Sequence, residues 1–119
     1  MNPAPIKPAI TIDVLNQVDI RVGTIERVED VPKSEKLVRL VVNFGDHTRS
    51  ILAGMKQERS QEELRKIAGR QALFVVNLAP RKMAGETSEG MLFDIGYADG
   101  VQPALATPEH PVPNGARTG

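Results

Sequence analysis

The chain has 119 residues, enough for one hydrophobic core and too few for two ordinary domains. Its 40% hydrophobic and 25% charged content is that of a globular protein, and the absence of cysteine removes disulfides, thiolate metal sites and a cysteine nucleophile. With 15 Lys and Arg against 15 Asp and Glu, net charge does not mark a nucleic-acid binder, yet every charge from Leu64 to Gly85 is positive, so a local basic surface can exist on a neutral protein.

In chain order, Pro3, Pro5 and Pro8 make residues 1–11 an extended arm, expected to be mobile unless a partner pins it. The arm has no apolar signal-peptide core and no run reaches the length of a membrane span, so a soluble cytoplasmic protein without membrane insertion is expected. Thr11 or Asp13 can cap a short turn through Val14 and Leu15. Val18, Ile20 and Val22 alternate with Asp19 and Arg21 as a strand does, and the apolar phase slips after Gly23, continuing at Ile25 and Val28. A bulge at Gly23 would explain the slip and let one long strand serve both sides of a small barrel. A polar turn, Val31 to Lys36, leads to a second strand with Val38, Leu40, Val42 and Phe44 facing the core. Gly45-Asp46 suits a type II′ hairpin, and the third strand, about His47 to Ala53, is polar enough to leave Arg49 facing solvent.

Ser60 and Glu63 form a capping-box pattern that starts a short helix. Its Leu64, Ile67 and Ala68 share a face, and Gly69 suits the left-handed cap. Ala72 to Leu78 reads as a central strand, and Met91, Phe93, Ile95 and Tyr97 alternate as the core face of a fifth. Asp99-Gly100 signals a hairpin to a brief strand near Ala104 to Ala106. Pro108, Pro111 and Pro113 make residues 108–119 a surface arm. The spacing supports an all-β fold, a small barrel with one short α-helix between the third and fourth strands.

Enzymatic chemistry finds no assembled site. His47 and His110 lack neighbours at metal-ligand spacing, no serine sits in a nucleophile elbow, and Gly85 and Gly90 are separated by acids that repel phosphate. No cofactor is expected. Phe44, Phe74, Phe93 and Tyr97 all occupy core-like positions, which leaves no exposed aromatic platform for single-stranded bases. RNA recognition would therefore rest on cations and amides that read a folded backbone. The segment from Ala79 to Gly90 admits two readings. It is a solvated loop tip, or a site in which Arg81 is a bidentate phosphate fork, Lys82 a point charge, and Asn77 and Ser88 hold the loop or touch ribose, with Gly85 allowing close approach.

At this segment Asn77-Leu-Ala-Pro-Arg-Lys-Met-Ala-Gly85 and Ser88-Glu-Gly-Met91 resemble the Asn-Leu-Lys-Pro-Arg-Lys-Met-Arg-Gly…Ser-x-Gly-Met signature of the tRNA-binding OB domain, which is appended to methionyl-tRNA synthetases and also found free-standing. Asp19-Ile-Arg-Val-Gly-Thr-Ile25 is similar to its first strand, Ser34-Glu-Lys-Leu37 to its Ala-Asp-Lys-Leu turn, and Pro108-Glu-His-Pro-Val-Pro-Asn-Gly115 to the end of the free-standing CsaA proteins. The resemblance implies a five-stranded OB-fold Greek-key barrel over residues 12–107 that binds tRNA as a homodimer. It implies terminal segments that help join the subunits, residues 108–119 among them, and a possible aminoacyl-tRNA synthetase partner. The RNA-binding candidates are Ser34, Lys36, Arg49, Asn77, Arg81, Lys82 and Ser88. Ala79 and Ala84 stand where the signature has cations, which predicts weaker binding with a flatter salt dependence. The alternative is a CsaA-type export-related chaperone that binds unfolded polypeptide. Met55, Met83 and Met91 are its candidates, although periodicity places Met91 in the core.

Overall fold

The structure, a computed structural model, describes residues 2–119; Met1, the first residue of the expected N-terminal arm, lies outside the described residues. Residues 2–10 are exposed and carry no regular structure. Thr11 then caps the single turn α1 (Ile12–Leu15), its side chain accepting from the Val14 amide.

The barrel is organised by β1 (Ile20–Asp30). Its first half, from Ile20 to Thr24, pairs antiparallel with β4 (Gln71–Val75), and its second, from Thr24 to Asp30, with β2 (Val38–Asn43). One strand thus serves two sides, as expected, but the bulge is elsewhere. Gly23 pairs regularly with Ala72, and the register shifts between Ile25 and Arg27. Gly23 answers a lack of space: a Cβ there would lie 2.5 Å from Val42 Cγ1 and 2.9 Å from the Phe44 ring. The strand can curl onto β2 only because that position has no side chain.

The strand β3 (Thr48–Ala53) pairs with β2 through the Gly45-Asp46 loop, where Gly45 alone has positive φ, as a type II′ turn requires. In α2 (Gln61–Ile67) the Ser60 hydroxyl accepts from the Glu63 amide at 3.1 Å and the Glu63 carboxylate accepts from the Ser60 amide at 2.9 Å. Leu64 and Ile67 are buried; Ala68, expected on that face, is the exposed C-cap, and Gly69 follows at φ +89°. The main sheet runs β3-β2-β1-β4-β7, where β7 is Met91–Leu92. It closes because the Glu89 amide donates to the Ser50 carbonyl at 2.9 Å. The result is an OB-type barrel with its helix between the third and fourth strands. Ile25, Leu40, Val42, Ile51, Met55 and Phe74 fill its core.

Two expectations fail beyond Gly90. The parity of the last strand is inverted: Leu92 is buried, whereas Met91, Ile95 and Tyr97 are exposed, Tyr97 to 73%. After two residues on β4 the chain leaves the sheet, and β8 (Asp94–Ile95) pairs with β9 (Ala104–Leu105) around a 3₁₀ turn, Tyr97–Asp99. Gly96 and Gly100 flank that turn with positive φ, so Asp99-Gly100 ends a 3₁₀ turn rather than making a two-residue hairpin. The C-terminal arm, expected as a surface arm, has no buried residue, and its end is tied down along an edge. Gly115 donates to the Val22 carbonyl at 2.7 Å, Val22 to Ala116 at 2.9 Å and Thr118 to Ile20 at 3.1 Å, all on the β1 edge away from β4. Its prolines precede the paired residues, so no ladder donor is missing.

Candidate nucleic-acid interface

The segment expected as a basic loop is a β-ribbon. The strands β5 (Arg81–Met83) and β6 (Glu86–Ser88) pair Arg81 with Ser88, Lys82 with Thr87 and Met83 with Glu86. The turn between them has Ala84 at φ +51° and Gly85 at φ +80°, the two positive values of a type I′ hairpin. Strand alternation sends Arg81 and Lys82 to opposite faces of the ribbon. Both are exposed.

The root of the ribbon is locked by hydrogen bonds. Asn77 Oδ1 accepts from the Asp19 amide at 2.8 Å and its Nδ2 donates to the Gln17 carbonyl at 2.7 Å, which ties the end of β4 to the entry of β1. Ser88, only 4% exposed, accepts from the Leu52 amide at 3.0 Å and donates to the Gly90 carbonyl at 3.1 Å. Arg49 does not face solvent as expected. It is half-buried, its Nη1 donates to the Val76 carbonyl at 2.6 Å and the Glu89 carbonyl at 3.1 Å, and its Nε to His47 at 3.0 Å. The guanidinium stands 5.9 Å over the Phe44 ring. Three buried or half-buried carbonyl and amide groups would lack partners without it and Ser88. Nearby, Arg21 forks onto Asp19 at 2.9 and 3.0 Å and holds that carboxyl below the usual carboxylate range.

The turn from Val31 to Lys36 is the second element. Ser34 Oγ accepts from the amides of Lys36 at 3.1 Å and Leu37 at 3.0 Å, while Lys56 Nζ donates to the carbonyls of Val31 at 3.0 Å and Ser34 at 2.7 Å and pairs with Asp30. Ser34 and Lys56 therefore brace the turn and leave Lys33 and Lys36 exposed on it. The turn meets the ribbon at Gly85, where a Cβ would lie 3.6 Å from Lys33 Nζ. Sequence reading missed Lys33 because nothing local joins it to a turn half the chain away. Among the described residues Lys33, Lys36, Arg81 and Lys82 have no carboxylate within ion-pair distance, whereas Arg39 holds Glu29 at 2.6 Å and Glu86 at 3.7 Å.

Beside the turn opens a groove of about 560 Å³ whose walls include Lys36, Leu52, Met91, Phe93 and Tyr97. Met91, expected in the core, lines this groove, and Tyr97 is an exposed aromatic where none was expected. Met55 is fully buried and cannot meet a polypeptide; Met83 is half-buried on the ribbon. Below the groove Arg59 forks onto Asp94 at 3.1 and 3.3 Å, with Glu58 at 3.7 Å. Burial, and then the adjoining Asp94, push the Glu58 carboxyl above its ordinary range. Among the described residues no helix is long and apolar enough to cross a membrane, and no three His, Asp or Glu side chains gather as a metal site.

Comparison with known proteins gives the arrangement a family. Methionine–tRNA ligase from Chloroherpeton thalassium is 43% identical over 102 residues, which is 86% of this chain and 14% of that protein. The chain thus spans about one seventh of the length of the curated relatives it matches. The MetRS related protein from Pyrococcus horikoshii superposes with a TM-score of 0.82 at 32% identity, covering 94% of this chain and 99% of that one. The chaperone CsaA from Bacillus anthracis superposes with a TM-score of 0.78 at 26% identity, covering 94% and 100%. The family model of the tRNA binding domain matches residues 20–117, from the start of β1 through the ribbon to the paired tail, and the chain belongs to that family.

Proposed function

We propose that the chain is a non-catalytic tRNA-binding protein that acts as a homodimer and holds the phosphate backbone of folded tRNA between the turn from Val31 to Lys36 and the ribbon from Arg81 to Ser88. The observation that carries this reading is the set Lys36, Arg81 and Lys82: exposed cations without acid partners, on two adjoining elements whose backbones are braced. Arg81 presents a planar fork to phosphate on one face of the ribbon and Lys82 a point charge on the other. Such contacts recognise the shape and charge of a folded RNA and carry no base information. Asn77, Arg49, Ser88 and Ser34 serve the site by holding its frame. Ala79 and Ala84 lower its charge, so the affinity is modest and falls with salt. A tRNA ligand makes the cytoplasm the place of work, beside or within a synthetase such as the ligases to which the chain is similar.

The homodimer has its best support at the N-terminal face. Ile10, Ile12, Val14, Leu15 and Val18 are exposed there, and the Asn77 clamp brings exposed Leu78 beside them. The C-terminal arm has its backbone engaged with its own β1 and would meet a partner through side chains alone. Two copies would present two cationic sites to one RNA, multiplying a weak single contact. The test is a gel-shift titration with tRNA at two salt concentrations, together with the sedimentation mass of the free protein. Binding that weakens with salt and a dimeric mass are expected; salt-independent binding, or a monomer that binds as tightly, overturns the reading.

A second reading rests on the groove. Its apolar walls at Leu52, Met91, Phe93 and Tyr97, with the likeness to CsaA structures, support capture of unfolded polypeptide. Peptide binding that persists in high salt and leaves tRNA bound would favour it.

A further inference from the structure

We infer that Lys33 contacts phosphate and supplies, from the turn after β1, the cation that the ribbon lacks at Ala84. The inference rests on the tRNA reading above and adds a residue and a charge to the same site. The ribbon ends in a tight type I′ turn whose first central residue is Ala84, at φ +51°, and whose second is Gly85, at φ +80°. Neither offers a charge. The side chain of Lys33 lies along this tip: a Cβ on Gly85 would be 3.6 Å from its Nζ and 3.7 Å from its Cδ. Its methylene stem therefore covers the glycine and its ammonium ends at the tip, as a long cationic side chain does when its stem packs and its head stays in water.

The backbone that carries Lys33 is held in place. Lys56 Nζ bonds to the carbonyls of Val31 and Ser34, which bracket Lys33 on both sides, and the Ser34 hydroxyl receives the amides of Lys36 and Leu37. Only side-chain freedom remains to be lost when a phosphate docks. The acids nearby leave the ammonium available. Glu86 beside the tip faces Arg39 at 3.7 Å, and Lys33 itself has no ion-pair partner among the described residues. Glu35, exposed on the same turn, is a nearby charge that opposes it. Arg81 and Lys82 project from opposite faces of the ribbon and Lys33 stands at its tip, so a backbone running along the ribbon meets cations from both elements.

The experiment measures the slope of log affinity for tRNA against log salt for the wild type, Lys33→Gln, Lys33→Arg and Lys33→Gln/Ala84→Arg, with Lys66→Gln on α2 as a control. Loss of one phosphate contact lowers the magnitude of the slope by about one unit. That drop is expected in Lys33→Gln, with Lys33→Arg and the double variant returning to the wild-type slope and Lys66→Gln unchanged. Equal slopes for wild type and Lys33→Gln overturn the assignment of Lys33 while leaving the tRNA reading intact, provided the wild type binds. A wild type without salt-dependent tRNA binding overturns both. A drop that Ala84→Arg does not restore, in a variant with the wild-type melting temperature, overturns the claim that Lys33 stands in for a cation at position 84.

Discussion

The braced root of the β-ribbon and the cations exposed on its faces differ in a way that separates architecture from recognition. At the root, Asn77, Arg49 and Ser88 are polar residues with their hydrogen-bonding groups turned inward to named amides and carbonyls. Along the ribbon's exposed faces and on the adjoining turn, Lys33, Lys36, Arg81 and Lys82 face solvent, and among the described residues none has a carboxylate within ion-pair distance. The residue types alone do not distinguish the two sets, since an arginine or asparagine serves equally in either. What distinguishes them is whether the protein itself already satisfies the group: a satisfied donor has little to offer a ligand, and an unpaired exposed cation keeps all of its charge for one.

The largest effect should come from the exposed cations of the ribbon. Reversing both charges, Arg81→Glu with Lys82→Glu, should reduce tRNA retention in a gel shift to the background level while the melting temperature stays within a degree or two, because neither side chain has an internal partner. A substantial residual affinity would show that recognition lies elsewhere on the barrel. The root should behave in the opposite manner. Ser88→Ala leaves the Leu52 amide without its acceptor in a buried site, a loss of about 1–3 kcal/mol measurable by chemical denaturation. Its affinity for tRNA, measured well below the melting transition, should remain close to wild type. A Ser88 variant that loses affinity but not stability would move Ser88 from frame to contact.

The contrast also explains what could be read before the fold was known. The alternation of Val38, Leu40, Val42 and Phe44, the Gly45-Asp46 turn and the Ser60–Glu63 capping box are local patterns, and each became the element it predicts. The parity of Met91 to Tyr97 misleads because the alternation assumes one continuous strand, whereas the chain pairs with β4 only at Met91 and Leu92, and that brief pairing turns Leu92 into the core. Gly23 marks a close approach to Val42 and Phe44, which no nearby residue announces, and the register shift falls later, between Ile25 and Arg27. In the tail, prolines conceal a paired edge because they fall just ahead of the residues that bond. Within the site, the motif pointed to Arg81 and Lys82 correctly as exposed groups, whereas the engagement of Arg49 with Val76 and Glu89, and the meeting of Lys33 with Gly85, arise only when distant segments come together.

A further contrast lies under the groove, where the half-buried Glu58 carboxyl stands beside Asp94 and one of its oxygens has no hydrogen-bond partner. Its pKa is raised above the ordinary value by burial first and by Asp94 second. A carboxyl raised in the folded state contributes stability that is fully present below its unfolded pKa, near 4.5, and is lost as pH rises through the folded value. Glu58→Gln should therefore raise the melting temperature at pH 7 and flatten the fall in stability above pH 4.5, since Arg59 keeps its fork to Asp94. A lower melting temperature at pH 7 would mean that the Arg59–Glu58 contact outweighs the burial of the charge.

The smallest effect is expected at Glu63, where the sign is reversed. Its carboxylate accepts from the Ser60 amide, and this bond, then the Ser60 side chain, lowers its pKa below the ordinary 4.5. A depressed carboxyl contributes stability present above the unfolded pKa and lost as pH falls through the folded one. Glu63→Gln can still close the capping box as a neutral acceptor, so it isolates the charge from the geometry. The difference between Glu63→Gln and wild type should be visible at neutral pH and should shrink below about pH 4, while tRNA binding is unaffected because α2 lies outside the turn and the ribbon. A gap of the same size at both pH values would assign the whole contribution to the shape of the cap and none to the ionised carboxylate.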